Sequence, residues 1–375
     1  MKELRDFFKN NLIEFNSSET PMFPDSKLTS LRHGLENYFE TYNIFSSSSY
    51  EYLHKGHSNV VLSAVRGHDY LIRYFSSISF IHLSFEHFLT EILDGKSQIL
   101  SKLTLTKEID LIKILTGKVN TIDTSAKRNI DYSIALNRIE ELIKNDQDLP
   151  NEFRIDTKFH FLINHIETLK QLAFLRNDII HSGKTILNRY VYELFFVNKV
   201  LPLVREYINT QTSTPFLERN LFCNKNVIDE IARNPLPEKF DDIANYQDIT
   251  TKLRRVNHFK ELGRASYKNP IHMLENVNSE EHKKSLEENL NKRKREEASL
   301  HVHFKQEILE YYEVHTCPCC GTNSLATFDY WPVLVDNKTR VETAECSVCT
   351  YKVNINIGEP KEFDIMDTEL FKFLD

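Results

Sequence analysis

The sequence predicts a mainly α protein, an antiparallel helical bundle followed by a small β module at the C-terminus. Three observations predict it. Only nine glycines occur in 375 residues, and long segments between Leu53 and Ile208 repeat their apolar side chains at three- and four-residue spacing, the period of a helix with one buried face. After Thr316 short runs rich in Val, Thr, Phe and Tyr replace that period, as strands do. Five of the six cysteines fall in the same C-terminal stretch, which suits a small module held by something other than a large core.

The first bundle helix is expected from about His68 to Asp94, with Ile78, Ile81, Phe85, Phe88, Leu89 and Ile92 on its buried face and Gly95 closing it. A second covers about Ser125 to Asn145. A third starts near Asp156, a good N-cap, and ends at Gly183, which can take the left-handed cap conformation. The fourth, Leu187 to Ile208, carries Tyr190, Leu194, Val197, Leu201 and Val204 on one side, with a kink expected at Pro202. Short turns between such helices make neighbours antiparallel.

Four segments follow: an N-terminal segment, 1–50, ending in the Ser46–Ser49 linker; the bundle, 51–210; a polar helical connector, 211–313; and the cysteine module, 314–375. Two proline-containing stretches, Thr212–Phe216 and Asn234–Phe240, open the connector. Its Ser279–Glu310 part is charged almost all round, and Lys292-Arg293-Lys294-Arg295 is answered by Glu296-Glu297, the pattern of a solvated face. In the last segment Thr327–Asp336, Arg340–Glu345 and Lys352–Ile357 read as strands, with an Asp336-Asn337 turn between the first two.

A hydrophobic fraction of 41% is enough for a real core. The net charge of -7 argues against a protein wrapped in nucleic acid, because phosphate binding over a whole surface needs clustered Lys and Arg; any RNA contact is expected to be local. Met1–Asn11 lacks the basic start and apolar run of a signal peptide, and the most apolar stretch, Val191–Val204, is broken by Glu193, Asn198 and Lys199. A cytoplasmic protein that does not use a membrane is expected. Cys223 stands apart and reads as an inert thiol.

Cys317-Pro-Cys-Cys320-Gly321 and Cys346-Ser-Val-Cys349 are two C-x-x-C pairs, and each spacing lets one tight turn aim two thiolates at one tetrahedral ion. The arrangement resembles the zinc ribbon family, whose knuckles read Cys-Pro-x-Cys-Gly, over the last sixty or so residues. Zn2+ held by Cys317, Cys320, Cys346 and Cys349 has no open position for water and is expected to be structural. Cys319 and His315 are spare donors, and the sequence leaves open whether Cys319 replaces Cys320.

Arg176-Asn177-Asp178-Ile179-Ile180-His181 closes the third helix. On a helical projection Leu162, Ile166, Leu169, Ala173 and Ile180 form the apolar stripe, and Arg176 falls at its edge, where a guanidinium is costly unless paired or functional. Asn177 and His181 are i and i+4 and share a face beside it. Arg154 to His160 and Arg295 to His301 fit the same loose spacing, but the first follows the Pro150 loop and the second lies in the solvated segment. The bland reading pairs Arg176 in a salt bridge and uses His181 as a C-terminal cap.

The motif resembles the Arg, four-to-six residues, His signature of the HEPN superfamily, in which Asn often follows Arg; the resemblance spans roughly Leu53–Ile208 and outside the motif is architectural. It implies a HEPN-like bundle and a metal-independent endoribonuclease acting as a homodimer on RNA, with His181 moving protons, Arg176 gripping the phosphate and Asn177 orienting one or the other. Many members also use an acidic residue from an earlier helix, and Glu86 is the candidate to pair with Arg176. His82, inside the apolar stripe of the same helix, reads as a core histidine. A toxin or anti-phage defence effector, with an antitoxin or defence-system partner, is the role the resemblance implies. The competing expectation is a non-catalytic HEPN-like adaptor whose ribbon binds nucleic acid or protein. A ribbon transcription factor is disfavoured because no recognition helix or basic face accompanies the cysteines.

Overall fold

The computed structural model describes residues 26–44, 65–97, 100–101, 130–181, 187, 189–211, 225–238, 243–268, 311–321, 323–328, 334–335, 338–341, 343–346, 348–371 and 373–374. These residues are mostly helical, with small antiparallel sheets at the C-terminal end. Helix α1 (Ser26–Glu40) lies along α2 (Val65–Lys96). The approach is close because Gly34 has no side chain: a Cβ there would sit 2.9 Å from the Ile81 backbone nitrogen, and backbone has no rotamer with which to yield. All six apolar residues predicted to face inward from α2 are buried.

Helix α3 (Tyr132–Lys144) occupies the second predicted helix; residues 125–129 of that expectation lie outside the described residues. The third expected helix is divided. Thr157–His165 winds as a 3-10 helix before α4 (Ile166–His181), because Phe159, Phe161 and Ile163 are aromatic or β-branched and disfavour the α form. Asp156 does not cap it with its side chain; the carboxylate takes Lys96 Nζ at 2.9 Å instead. Gly183 lies outside the described residues. Leu162, Ile166 and Leu169 are buried as expected, but Ile180 is 54% exposed, because the last turns of α4 project past the packed face, with Phe174 also in solvent.

The fourth expected helix runs as α5 (Arg189–Phe195), a π-helical turn over Phe196–Val200, and α6 (Leu201–Thr210). Pro202 explains the turn, since it has no N–H to return to the carbonyl of Asn198, and the wider register absorbs the loss. Asn198 meanwhile bonds Leu236 through both amide atoms, Nδ2 to the carbonyl at 2.7 Å and Oδ1 from the N–H at 2.8 Å.

Two helices come from the stretch read as a polar connector, α7 (Lys225–Arg233) and α8 (Ile243–Lys268). Ile228, Ile231, Ile249, Leu253, Val256 and Phe259 join the bundle core, and Ala265 joins the core of the cysteine module. Composition misleads here because α8 buries ions in pairs. Lys260, 0% exposed, meets Glu193 Oε1 at 2.6 Å, and Tyr38 donates to the other carboxylate oxygen at 3.0 Å. Arg264 grips Glu261 through Nε and Nη2 at 2.6 Å each.

The C-terminal module holds a four-stranded antiparallel sheet in the order β1 (Tyr311–Thr316), β2 (Asn323–Phe328), β5 (Thr343–Cys346), β6 (Lys352–Asn354), and a second sheet of β3 (Leu334–Val335), β4 (Lys338–Arg340) and β7 (Phe373–Leu374). Val335 pairs with Lys338; the Asp336-Asn337 turn expected between the strands lies outside the described residues. The predicted strands Thr327–Asp336 and Arg340–Glu345 are each split between the two sheets. Residues 329–333, between the two parts of the first, lie outside the described residues. The Ser279–Glu310 segment lies outside the described residues.

Candidate functional site

Four of the cysteines converge. The sulfurs of Cys317, Cys320, Cys346 and Cys349 all lie within 4.8 Å of one another, with Cys317–Cys349 at 3.5 Å and Cys320–Cys346 at 3.7 Å. A tetrahedral ion with metal–sulfur bonds of about 2.3 Å needs sulfur–sulfur edges of about 3.8 Å, so the set fits a metal ion. Each pair is presented by a turn whose last residue has positive φ, Gly321 at 68° and Thr350 at 62°. The backbone closes the turns through Gly321 N–H to Cys317 O at 2.9 Å and Thr350 N–H to Cys346 O at 3.0 Å. The amides of Val348 and Cys349 point at Cys346 Sγ, at 3.3 and 3.5 Å, which favours the thiolate. Hydrogen bonding from Cys317 pulls Cys346 down to about 6. Cys319 is outside the cluster, 4.0 Å from the Leu262 carbonyl, and His315 sits 3.4 Å from Glu313. Cys320, not Cys319, is therefore the fourth member.

Helix α8 fastens this module to the bundle. Arg264 donates to the hydroxyl of Thr350 at 3.2 Å and to its carbonyl, one residue after Cys349. Glu261 accepts the Lys352 amide at 2.5 Å, and Tyr42 donates to the Lys352 carbonyl. The left-handed Thr350, strained for a residue with a β-branched side chain, is thus held from outside its own turn.

The Arg176 motif lies on the last turns of α4. Arg176 is half-buried, and its Nη1 donates to the Asn177 Oδ1 at 2.9 Å. No carboxylate lies within 4.0 Å of it among the described residues, whereas Arg205, Arg233, Arg255 and Arg264 are all ion-paired. His181 closes the helix one turn beyond Asn177, and its side chain lies outside the described residues. Glu86 forms no ion pair with Arg176: its Oε2 is 3.8 Å from His82 Nδ1, one turn back on α2. His82 is buried against the Tyr132 ring, centroids 4.2 Å apart. Burial, and then the positive charge of Arg176, bring His82 down to about 4. Burial, and then Glu86, hold the Tyr132 phenol well above its usual value, and its O–H donates to the Leu169 carbonyl at 3.3 Å. His82 and Tyr132 were not singled out by the sequence reasoning as site residues; the i, i+4 spacing of His82 and Glu86 was the signal available.

The competing pairs are otherwise engaged or not described. Arg154 donates to the carbonyls of Leu149 at 2.9 Å and Gln147 at 3.2 Å, and His160 bonds the Ile155 carbonyl at 3.1 Å, so both stitch a loop. Arg295 and His301 lie outside the described residues.

Fold and sites define a mainly helical protein with a docked module whose four cysteines could hold a metal ion, and among its described residues no helix is long and apolar enough to cross a membrane. Comparison with protein-family models, with curated proteins and with solved structures gives no match.

Proposed function

We propose that the protein is a metal-independent endoribonuclease of HEPN type that cleaves RNA by attack of the substrate's own 2′-hydroxyl. The observation that carries the reading is Arg176, a half-buried guanidinium oriented by Asn177 and lacking a carboxylate partner among the described residues. Such a group is a seat for an external anion, and a phosphate with two free oxygens matches its fork. In the reaction one histidine takes the 2′-hydroxyl proton, the 2′-oxygen bonds to phosphorus, the bond from phosphorus to the 5′-oxygen breaks, and a second group protonates the leaving oxygen. His181, one helical turn from Asn177, is the residue assigned to proton transfer. Arg176 neutralises charge growing on the phosphoryl oxygens. The exposed Phe174 and Ile180 beside the motif suit a homodimer in which two copies of the motif face one another. The same patch would serve an adaptor, the second reading.

The four-cysteine set would hold zinc. Four thiolates complete its shell, so the ion supplies folding energy to the module rather than a reacting water. A cytoplasmic toxin or anti-phage effector restrained by an antitoxin or defence partner is the biological role proposed. Incubation of the purified protein with structured and unstructured RNA, with Arg176→Ala alongside, tests the activity; wild-type protein and variant that leave RNA equally intact would favour the adaptor.

A further inference from the structure

We propose that Arg264 of α8 is a positioning residue for the metal set: with Glu261 it holds the second cysteine turn in the shape that aims Cys346 and Cys349 at an ion. The inference rests on the reading of the four cysteines as a metal set and is independent of the nuclease. The two turns end differently. The first ends in Gly321, φ 68°, which takes the left-handed conformation at no steric cost, and the second in Thr350, φ 62°, whose β-branched side chain disfavours it. Relaxation of Thr350 to negative φ would re-aim the turn relative to β6. It would disturb the bond of 3.0 Å from Thr350 N–H to the Cys346 carbonyl, and with it the approach of the Val348 and Cys349 amides to Cys346 Sγ, at 3.3 and 3.5 Å.

A helix of the bundle supplies what the second turn lacks. Arg264, 5% exposed, donates to the Thr350 hydroxyl at 3.2 Å and to the Thr350 carbonyl. It is itself fixed by Glu261, whose two carboxylate oxygens take Nε and Nη2 at 2.6 Å each. Glu261 Oε1 also accepts the Lys352 N–H at 2.5 Å, and Tyr42, just beyond α1, donates to the Lys352 carbonyl. The backbone is thus gripped on both sides of Tyr351, whose own carbonyl takes the Cys346 N–H at 2.8 Å. A guanidinium anchored along one edge by a carboxylate is rigid enough to hold a carbonyl and a hydroxyl with its remaining donors. At the first turn the contact with α8 is looser: Cys319 Sγ lies 4.0 Å from the Leu262 carbonyl, and Leu262 packs beside it. Ligands already held in place bind more tightly, because less ordering remains to be done when the ion arrives.

The test is the zinc affinity of the full chain, measured by competition with a chromophoric chelator, with circular dichroism to establish that each variant is folded. Arg264→Met should weaken zinc binding about tenfold, the low end of what partners behind metal ligands contribute. In a Thr350→Gly background, where the left-handed residue needs no holding, the same substitution should change affinity by less than about twofold, the scatter of independent sites. His258→Asn is the control for docking alone. Its Nε2 bonds the Gly358 carbonyl at 3.0 Å, where α8 meets the same module away from the cysteine turns, and its zinc affinity should stay within about twofold of wild type. Arg264→Met combined with Glu261→Gln covers the case in which the single variant, left with a buried lone carboxylate, fails to fold; it should show the same loss of about tenfold. Unaltered affinity in the folded Arg264 variants, an equal loss in the Thr350→Gly background, or an equal loss in His258→Asn overturns the proposal. Wild-type protein that binds no zinc overturns this inference and the metal reading together; wild-type protein that binds zinc but cuts no RNA removes the nuclease and leaves this inference standing.

Discussion

Lys260→Met should be among the most damaging single substitutions outside the four-cysteine cluster. Lys260 and Glu193 are 0% and 2% exposed, their charged atoms are 2.6 Å apart, and Tyr38 completes the carboxylate with a bond of 3.0 Å while its ring lies 4.3 Å from the ammonium. Methionine matches the lysine stem in volume, so the change removes charge and donors while leaving little cavity. Glu193 then remains as a buried anion with one phenolic donor, and removing one member of such a pair typically costs about 3 to 5 kcal/mol, against a total stability of roughly 5 to 15 kcal/mol. Because Tyr38 belongs to α1, Glu193 to α5 and Lys260 to α8, the loss should appear as earlier unfolding of the whole bundle. Urea denaturation followed by far-ultraviolet circular dichroism measures it. Lys260→Met with Glu193→Gln should recover most of the loss, since neither partner is left ionised. A single variant within about 0.5 kcal/mol of wild type, the range of ordinary surface changes, would refute the burial of α8 in the core.

Gly263→Ala should lower the melting temperature, because its Cβ would lie 2.8 to 2.9 Å from three atoms of the buried Phe39 ring and overpacking of this kind costs about 1 to 3 kcal/mol; calorimetry reads it. Acid should destabilise the fold through His82 and His258, both brought down to about 4 chiefly by burial. The unfolded chain protonates them near 6.5, so stability is complete above that pH and falls as pH drops toward 4, by up to about 3 kcal/mol for each histidine. His258→Asn should flatten that part of the pH profile, and an unchanged slope would count against the buried neutral ring. Metal analysis should find one zinc per chain, and Cys349→Ser should lose it and unfold the C-terminal sheet. The bundle should stay helical but less stable, because Arg264 and Glu261 then lose Thr350 and Lys352; retention of metal or an unaltered bundle would contradict the docking.

The helices of the bundle were legible because a buried face repeats at the helical period, and α2 follows its pattern residue for residue. The cysteine set was legible because C-x-x-C spacing is local, though the choice of Cys320 over Cys319 needed the turn geometry. α8 was not legible as core, since Lys260, Glu261 and Arg264 read as solvated until their partners from distant segments are known. His82 was legible as a core histidine and is 3% exposed, but no sequence mark pointed to Tyr132 as the ring it lies against, since that contact crosses from one helix to another. Glu86 was expected to pair with Arg176, whereas the ion-pair approach the structure shows for it is to His82, one turn away on its own helix.

The central claim is tested most directly by the products of RNA cleavage in EDTA, under conditions where the cysteine module keeps its metal. The account predicts 2′,3′-cyclic phosphate ends, no cut at a 2′-deoxyribose, a loss of about 10² to 10⁴ in rate for His181→Ala with RNA binding retained, and poor rescue of Arg176 by lysine, which lacks the bidentate fork. His160→Ala should cleave like wild type, since that ring bonds a backbone carbonyl in its own loop. Ends bearing a 3′-hydroxyl, or full activity in His181→Ala and Arg176→Ala, would contradict it.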